Sequence, residues 1–157
     1  MAREREIPNE EDSFYSSTLL QQYFSTQLYK ACYRNKLDEV MCLLAQGFPV
    51  NTVDEKGHTE LNWACYHNNL EMVKLLLDNG AEESVNTVDH HLHHPLYWAC
   101  YNKNSDMVTF LLEHGAAKSI NELSVFGETL LQNLSKYESN IDIFKLLCQY
   151  YEEFLCR

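Results

Sequence analysis

Four imidazoles stand within five residues: His90, His91, His93 and His94 flank Leu92. Histidine is the commonest ligand for zinc or nickel, so the first chemistry this run suggests is metal binding. A structural zinc site needs four ligands converging tetrahedrally, however, and adjacent side chains in an extended segment point apart. No metal site is therefore expected. The run reads instead as solvent-facing or partner-facing histidines, whose contacts would respond to pH because imidazole titrates near neutrality.

The other reactive side chains are six cysteines. Cys32, Cys65 and Cys100 each follow an alanine (Ala31, Ala64, Ala99) and behave as small apolar residues, expected to be buried and slow to react. Cys42, Cys148 and Cys156 have no partner suggested by spacing, so all six thiols are expected to be free. The sequence has no phosphate-binding glycine loop, no Gly-x-Ser-x-Gly elbow and no Cys-x-x-Cys pair. No enzyme activity, no catalytic residue and no cofactor is expected. The N-terminus, Met1-Ala2-Arg3-Glu4-Arg5-Glu6, does not read as a signal peptide. Together with the cysteine content it points to a reducing compartment, cytoplasm or nucleus.

These residues recur in register. Thr26-Gln27-Leu28, Thr59-Glu60-Leu61, His94-Pro95-Leu96 and Thr129-Leu130-Leu131 follow one another at intervals of 33, 35 and 35 residues. The shared Ala-Cys pairs come three residues after the first three leucines, and Gly47, Gly80 and Gly115 close the units. Thr59 and Thr129 suit a helix N-cap, and Pro95 suits a first helical turn. His94 stands in the capping position, which suggests a local structural role. Leu70, Val73, Leu76 and Leu77 fall on one helical stripe, repeated by Val108, Leu111 and Leu112 and by Ile143, Leu146 and Leu147. Two-residue insertions after Gly80 and Gly115 account for the longer spacings and are expected in loops. Helices this short are marginal alone, so their stripes must be buried against neighbouring units.

The repeats resemble the ankyrin family. The clearest copy is Asp54-Glu55-Lys56-Gly57-His58-Thr59-Glu60-Leu61-Asn62-Trp63-Ala64-Cys65, followed by Leu70-Glu71-Met72-Val73-Lys74-Leu75-Leu76-Leu77 and Asn79-Gly80-Ala81. The resemblance covers about residues 26–157 and implies an all-α solenoid of helix–turn–helix units joined by hairpin-like loops. It also implies a protein-binding role. The family's histidine after the leucine is replaced by Tyr29, Asn62, Tyr97 and Gln132, and Leu92 replaces the turn glycine seen at Gly57 and Gly127. The third turn is therefore expected to be distorted. In this family an Asn at the position of Asn51, Asn86 and Asn121 can be hydroxylated by an asparaginyl hydroxylase; a turn Asn bonding local backbone is the preferred reading.

One domain over 1–157 is expected, with an acidic segment and cap at 1–25. Three repeats follow at 26–53, 54–88 and 89–123, and a fourth repeat with a C-terminal cap at 124–157. Residues 14–24 are apolar enough to fold over the first repeat, and Gln149–Leu155 extends the last helix. The formal charge of −11 opposes nucleic acid and anionic membrane, and a partner protein with a basic surface is its complement. No apolar run approaches the roughly 20 residues of a membrane span. The chain is expected to be monomeric.

Helix geometry locates the binding face. At about 100° per residue, Leu61, Ala64 and Cys65 share the buried side of their helix, so Asn62, Trp63 and Tyr66 point away. Stacking the units aligns Tyr33, Tyr66 and Tyr101, with Trp63 and Trp98 alongside and His58, His67, His90, His91 and His93 near the hairpin edge. Aromatic residues dominate interface hot spots, so this face is expected to bind the partner, as an inhibitor or adaptor would. Packing of the rings between adjacent helices is the competing reading. A microbial or viral effector imitating a host scaffold, and a metal- or redox-responsive sensor using the His90–His94 run and the thiols, are the alternative functions.

Overall fold

The computed structural model describes residue 23, residues 26–136 and residues 140–156. The expected cap over 14–24 lies outside the described residues, Tyr23 excepted. Helix pairs repeat along the chain: α1 (26–33) with α2 (Leu37–Ala45), α3 (Glu60–Tyr66) with α4 (Leu70–Asp78), α5 (Pro95–Tyr101) with α6 (Ser105–Glu113), and α7 (Leu130–Ser135) with α8 (Ile141–Leu155). The architecture is an all-α solenoid. First helices pack on first helices, as α3 does on α5, and second helices on second helices, as α2 does on α4 and α6 on α8. Among the described residues β-pairing is confined to single antiparallel bridges, Val53 with Thr59 and Leu123 with Thr129.

Local chemistry fixes where helices begin. The Thr59 and Thr129 hydroxyls accept from the Asn62 and Gln132 amides, and Gln132 completes a capping box. His94 does the same work for α5: its Nδ1 accepts from the Tyr97 amide at 3.1 Å, with Pro95 in the first turn. Asn69 and Asn104 cap the second helices α4 and α6. These helices end at Gly80 and Gly115, whose φ of 98° and 96° is the left-handed conformation glycine adopts without strain. The inserted residues that follow wind into 3₁₀ turns, Ala81–Ser84 and Ala116–Asn121, rather than open loops.

The core is the repeat register made physical. Leu28, Leu61 and Leu96 are buried in turn, as are Val40, Val73, Val108 and Ile143, while the fourth unit buries Leu130 and leaves the in-register Leu131 only partly covered. Cys32, Cys65 and Cys100 are fully buried beside their alanines, burial pushes each thiol well above its usual pKa, and all six cysteines are free. The last unit lacks a closing glycine and instead extends α8 through Leu155.

Asparagines join successive units. The Asn51 amide donates to the Gly80 carbonyl at 2.7 Å, while its oxygen accepts from the Ser84 hydroxyl at 2.6 Å. Asn86 repeats both contacts with Gly115 and Ser119. These side chains thus bond the next unit, not the local backbone that a turn Asn commonly reaches. A second row runs from Asn69 to Asn35 and from Asn104 to Asn68.

The third turn is not distorted. Leu92 donates to the Asp89 carbonyl at 2.9 Å, as Gly57 does to Asp54 at 3.0 Å and Gly127 to Ser124 at 2.9 Å. The Asp89 carboxylate also accepts from the His91 and His93 amides, and the His90 amide donates to the Lys56 carbonyl. These bonds hold the turn, so the strain falls on Leu92, at a left-handed φ of 59°. A left-handed residue with a Cβ costs roughly 1–2 kcal/mol. Leu92 is exposed and loses little packing on truncation. Leu92→Gly is therefore expected to stabilise the protein by about 0.5–1 kcal/mol in urea titration, the gain being reduced by glycine's freer unfolded chain.

Candidate functional site

Five aromatic side chains run edge to face across the first helices. Tyr33 meets Trp63 with ring centroids 4.8 Å apart, Trp63 meets Tyr66 at 5.5 Å, Tyr66 meets Trp98 at 5.0 Å and Trp98 meets Tyr101 at 5.9 Å. The two expectations divide by residue type. The tryptophans are partly buried and wedge between neighbouring units, whereas Tyr33, Tyr66 and Tyr101 remain 51%, 47% and 67% exposed. Edge-to-face geometry suits the ring quadrupole and holds the row rigid.

Asn62 departs from the helical-wheel expectation. It is buried, because its amide donates to the His93 carbonyl at 3.2 Å and its oxygen accepts from the Thr59 hydroxyl. The first turn of α3 lies beside the third unit's hairpin, and Asn62 ties the two together. Farther along, Asn102 donates to the Cys65 and Tyr66 carbonyls and fastens the end of α5 to the end of α3.

Beside the aromatic row lies a cleft of about 540 Å³, lined by Tyr33, His58, Trp63, Tyr66, His67, His91, His93 and Trp98 among others. Of the expected face residues, His90 and Tyr101 do not line it. His90 is exposed against the second hairpin, where its ring would lie 3.1 Å from a Cβ placed on Gly57. Tyr101 stands at a smaller cleft between α5 and the last unit. His67 is held by the Tyr33 carbonyl at 2.7 Å.

A polar chain that sequence reading missed runs along the hairpins, and its members His58, Asp89 and His93 line the main cleft. Asp54 Oδ2 lies 3.0 Å from His58 Nδ1, and His58 Nε2 lies 3.3 Å from Asp89 Oδ2. That same Asp89 oxygen is 3.5 Å from His93 Nδ1, and the Tyr29 hydroxyl donates to Asp54 at 3.0 Å. The available signal was Asp four residues before His in both units. Burial pushes the Tyr29 hydroxyl up to about 12, helped by the adjacent Asp54 carboxylate. For Asp54 burial acts upward too, but hydrogen bonds from His58 and Tyr29 outweigh it and hold the carboxyl below its usual range. Burial lowers His93, with His91 and His58 adding to the effect and Asp89 opposing it. Asp89 is itself buried, and its Oδ2 has no well-directed hydrogen bond despite the two nearby imidazoles. Acids and histidines follow one another along the hairpins instead of converging on a point. Among the described residues no three His, Cys, Asp or Glu side chains are arranged to hold a metal ion.

The fold and register agree with comparison against protein families. A family model described as "Ankyrin repeats (3 copies)" matches residues 15–89, and one described as "Ankyrin repeat" matches residues 91–123. No curated protein matches the sequence. The two matched segments span more than half of the chain, and in the structure α7 and α8 continue the stack beyond them. With the helix pairs, closing glycines and hairpins in register, the chain belongs to the ankyrin repeat family.

Proposed function

We propose that this protein binds a partner protein through the face carrying Tyr33, Trp63, Tyr66, Trp98 and Tyr101, acting as an inhibitor or adaptor. Ankyrin repeats are protein–protein interaction modules, generally without catalytic activity of their own. The observation that carries the finer reading is the continuous aromatic row. Its tryptophans are locked by packing, while its tyrosines present large, rigid, half-exposed rings at low entropic cost. The histidines along the cleft add polar contacts at its edge. A net charge of −11 favours a partner with a basic surface, and we assign the chain a monomeric role in the cytoplasm or nucleus.

The test is affinity capture with the wild-type chain, identification of the bound protein by mass spectrometry, and titration of that purified protein. Tyr66→Ala combined with Tyr101→Ala is expected to weaken binding by about 2 kcal/mol. Both rings are half-exposed or more, so the thermal transition should hardly move. Lys74→Ala on α4 should leave affinity unchanged. A folded double variant that binds fully would place the partner on another surface.

A further inference from the structure

We infer that the smaller cleft, between α5 and the last unit, receives an aromatic side chain of the partner, which seats against Tyr101 and continues the aromatic row. This rests on the proposed binding face and names what that face takes at its open end. The row follows a rule. Trp63 and Trp98 each stand four residues after a helix N-cap, Thr59 and His94. Each sets its indole between the tyrosine of the preceding unit and that of its own. In the last unit the same position, four residues after the N-cap Thr129, holds Asn133. A short amide does not span what an indole spans. Tyr101 therefore has Trp98 on one side and no tryptophan on the other, and it is the most exposed of the three tyrosines.

The polar fasteners stop at the same junction. Asn69 donates to Asn35 and Asn104 to Asn68, but the next pair in register is Asn140 with Lys103, and a lysine side chain offers an amide no acceptor. Asn140 also begins α8 without the side-chain cap that Asn69 and Asn104 give α4 and α6. Two independent departures from the repeat thus fall on one place, and a cleft of about 270 Å³ opens there. Tyr97, Tyr101, Leu130, Asn133, Leu134 and Asn140 line it, among others. Leu130 and Leu134 are buried and supply apolar wall, while Tyr97 and Tyr101 stack with centroids 6.3 Å apart. The volume lies just below the range of roughly 300–1,000 Å³ usual for drug-sized ligands and suits a single ring. A ring edge-to-face on Tyr101 repeats the contact that Trp98 makes with Tyr66, and it needs no buried acceptor because Tyr101 is exposed. The cleft is continuous with the half-exposed tyrosines, so one partner surface covers both, and interface hot spots pair with hot spots opposite.

The probe is p-cresol, the side chain of tyrosine without its backbone, titrated into the wild-type chain and followed by proton–nitrogen correlation NMR. The control is 4-methylcyclohexanol, which keeps the outline and the hydroxyl but lacks the π system. Saturable shifts are expected at the amides of Tyr101, Lys103, Asn133 and Leu134, with the control binding several-fold more weakly. Asn133→Trp supplies the missing ring from within the chain and should abolish those shifts. Should that variant fail to fold, Tyr101→Ala changes an exposed position and should weaken p-cresol several-fold. No saturable shift, shifts confined to the main cleft, equal binding of the two probes, or undiminished binding by either folded variant would overturn the inference. So would tighter binding by Tyr137→Ala, which would assign the slot to a ring of the chain itself. Failure of the parent reading looks different. A partner that loses affinity for Tyr66→Ala with Tyr101→Ala but binds folded Asn133→Trp normally refutes the slot alone, whereas a partner indifferent to both refutes the face.

Discussion

Acidification from above pH 6.5 to about 4 is expected to remove about 3 kcal/mol of stability through one side chain, His94. Burial lowers its pKa from 6.5 to about 4, with the neighbouring His93 adding to the effect and the Ser119 backbone and Asp89 opposing it. The unfolded chain therefore binds a proton that the folded chain refuses, and stability falls with pH throughout that window. The geometry gives the reason. Nδ1 accepts from the Tyr97 amide, so protonation would replace the capping lone pair with an N–H aimed at another N–H. Urea titrations of wild type and His94→Thr across pH 4–7.5 decide the matter. Threonine restores the cap seen at Thr59 and Thr129 without a titrating ring, so the variant's stability should change about 3 kcal/mol less over the window. Parallel curves for the two proteins would refute the assignment. Because α5 carries Trp98 and Tyr101, loosening its first turn should also weaken the aromatic face in acid.

The role of His94 was legible because the repeat register placed it in a threonine slot, and register is a long-range signal carried by the sequence itself. The same register located the buried leucines, valines and cysteines. It failed where a residue's partner belongs to another unit. A helical wheel treats α3 as a cylinder with one buried side, so it sent Asn62 outward; the neighbouring hairpin, supplying the His93 carbonyl, covers that side too. Asp89 was passed over because a hairpin aspartate reads as a solvated turn former until the stack closes over it. Leu92 shows a different gap. Sequence identifies a residue unsuited to its turn but not which of the two yields, and here the hydrogen bonds of Asp89 and Lys56 decide for the turn.

Glu60 is the second buried group whose effect should be large, and nothing in the repeat pattern announced it, since equivalent positions hold Gln27, Pro95 and Leu130. It is 1% exposed at the first position of α3, where one carboxylate oxygen accepts from the Thr52 amide at 3.1 Å and the other from the Thr52 hydroxyl. The helix N-terminus favours its charge, yet burial dominates and raises its pKa, with the hydrogen bonds only partly offsetting this. Glu60→Ala should destabilise by about 3 kcal/mol, because it leaves the part-buried Thr52 amide and hydroxyl without their acceptor and opens a void at a buried position. Glu60→Gln should behave oppositely with pH. A raised carboxyl pKa means the folded state binds the proton more tightly than the unfolded chain, so stability falls as pH rises from the ordinary glutamate value through the raised one. Glutamine imitates the protonated acid, with its oxygen free to accept from the Thr52 amide and its NH₂ to donate to the hydroxyl. The stability difference between Glu60→Gln and wild type should therefore shift in the variant's favour from pH 4 to pH 7. This comparison cancels the opposite slope contributed by His94, since both proteins carry it. A difference that stays flat across that range would mean that Glu60 titrates alike in the folded and unfolded chain, and that its hydrogen bonds fully replace the water it gave up.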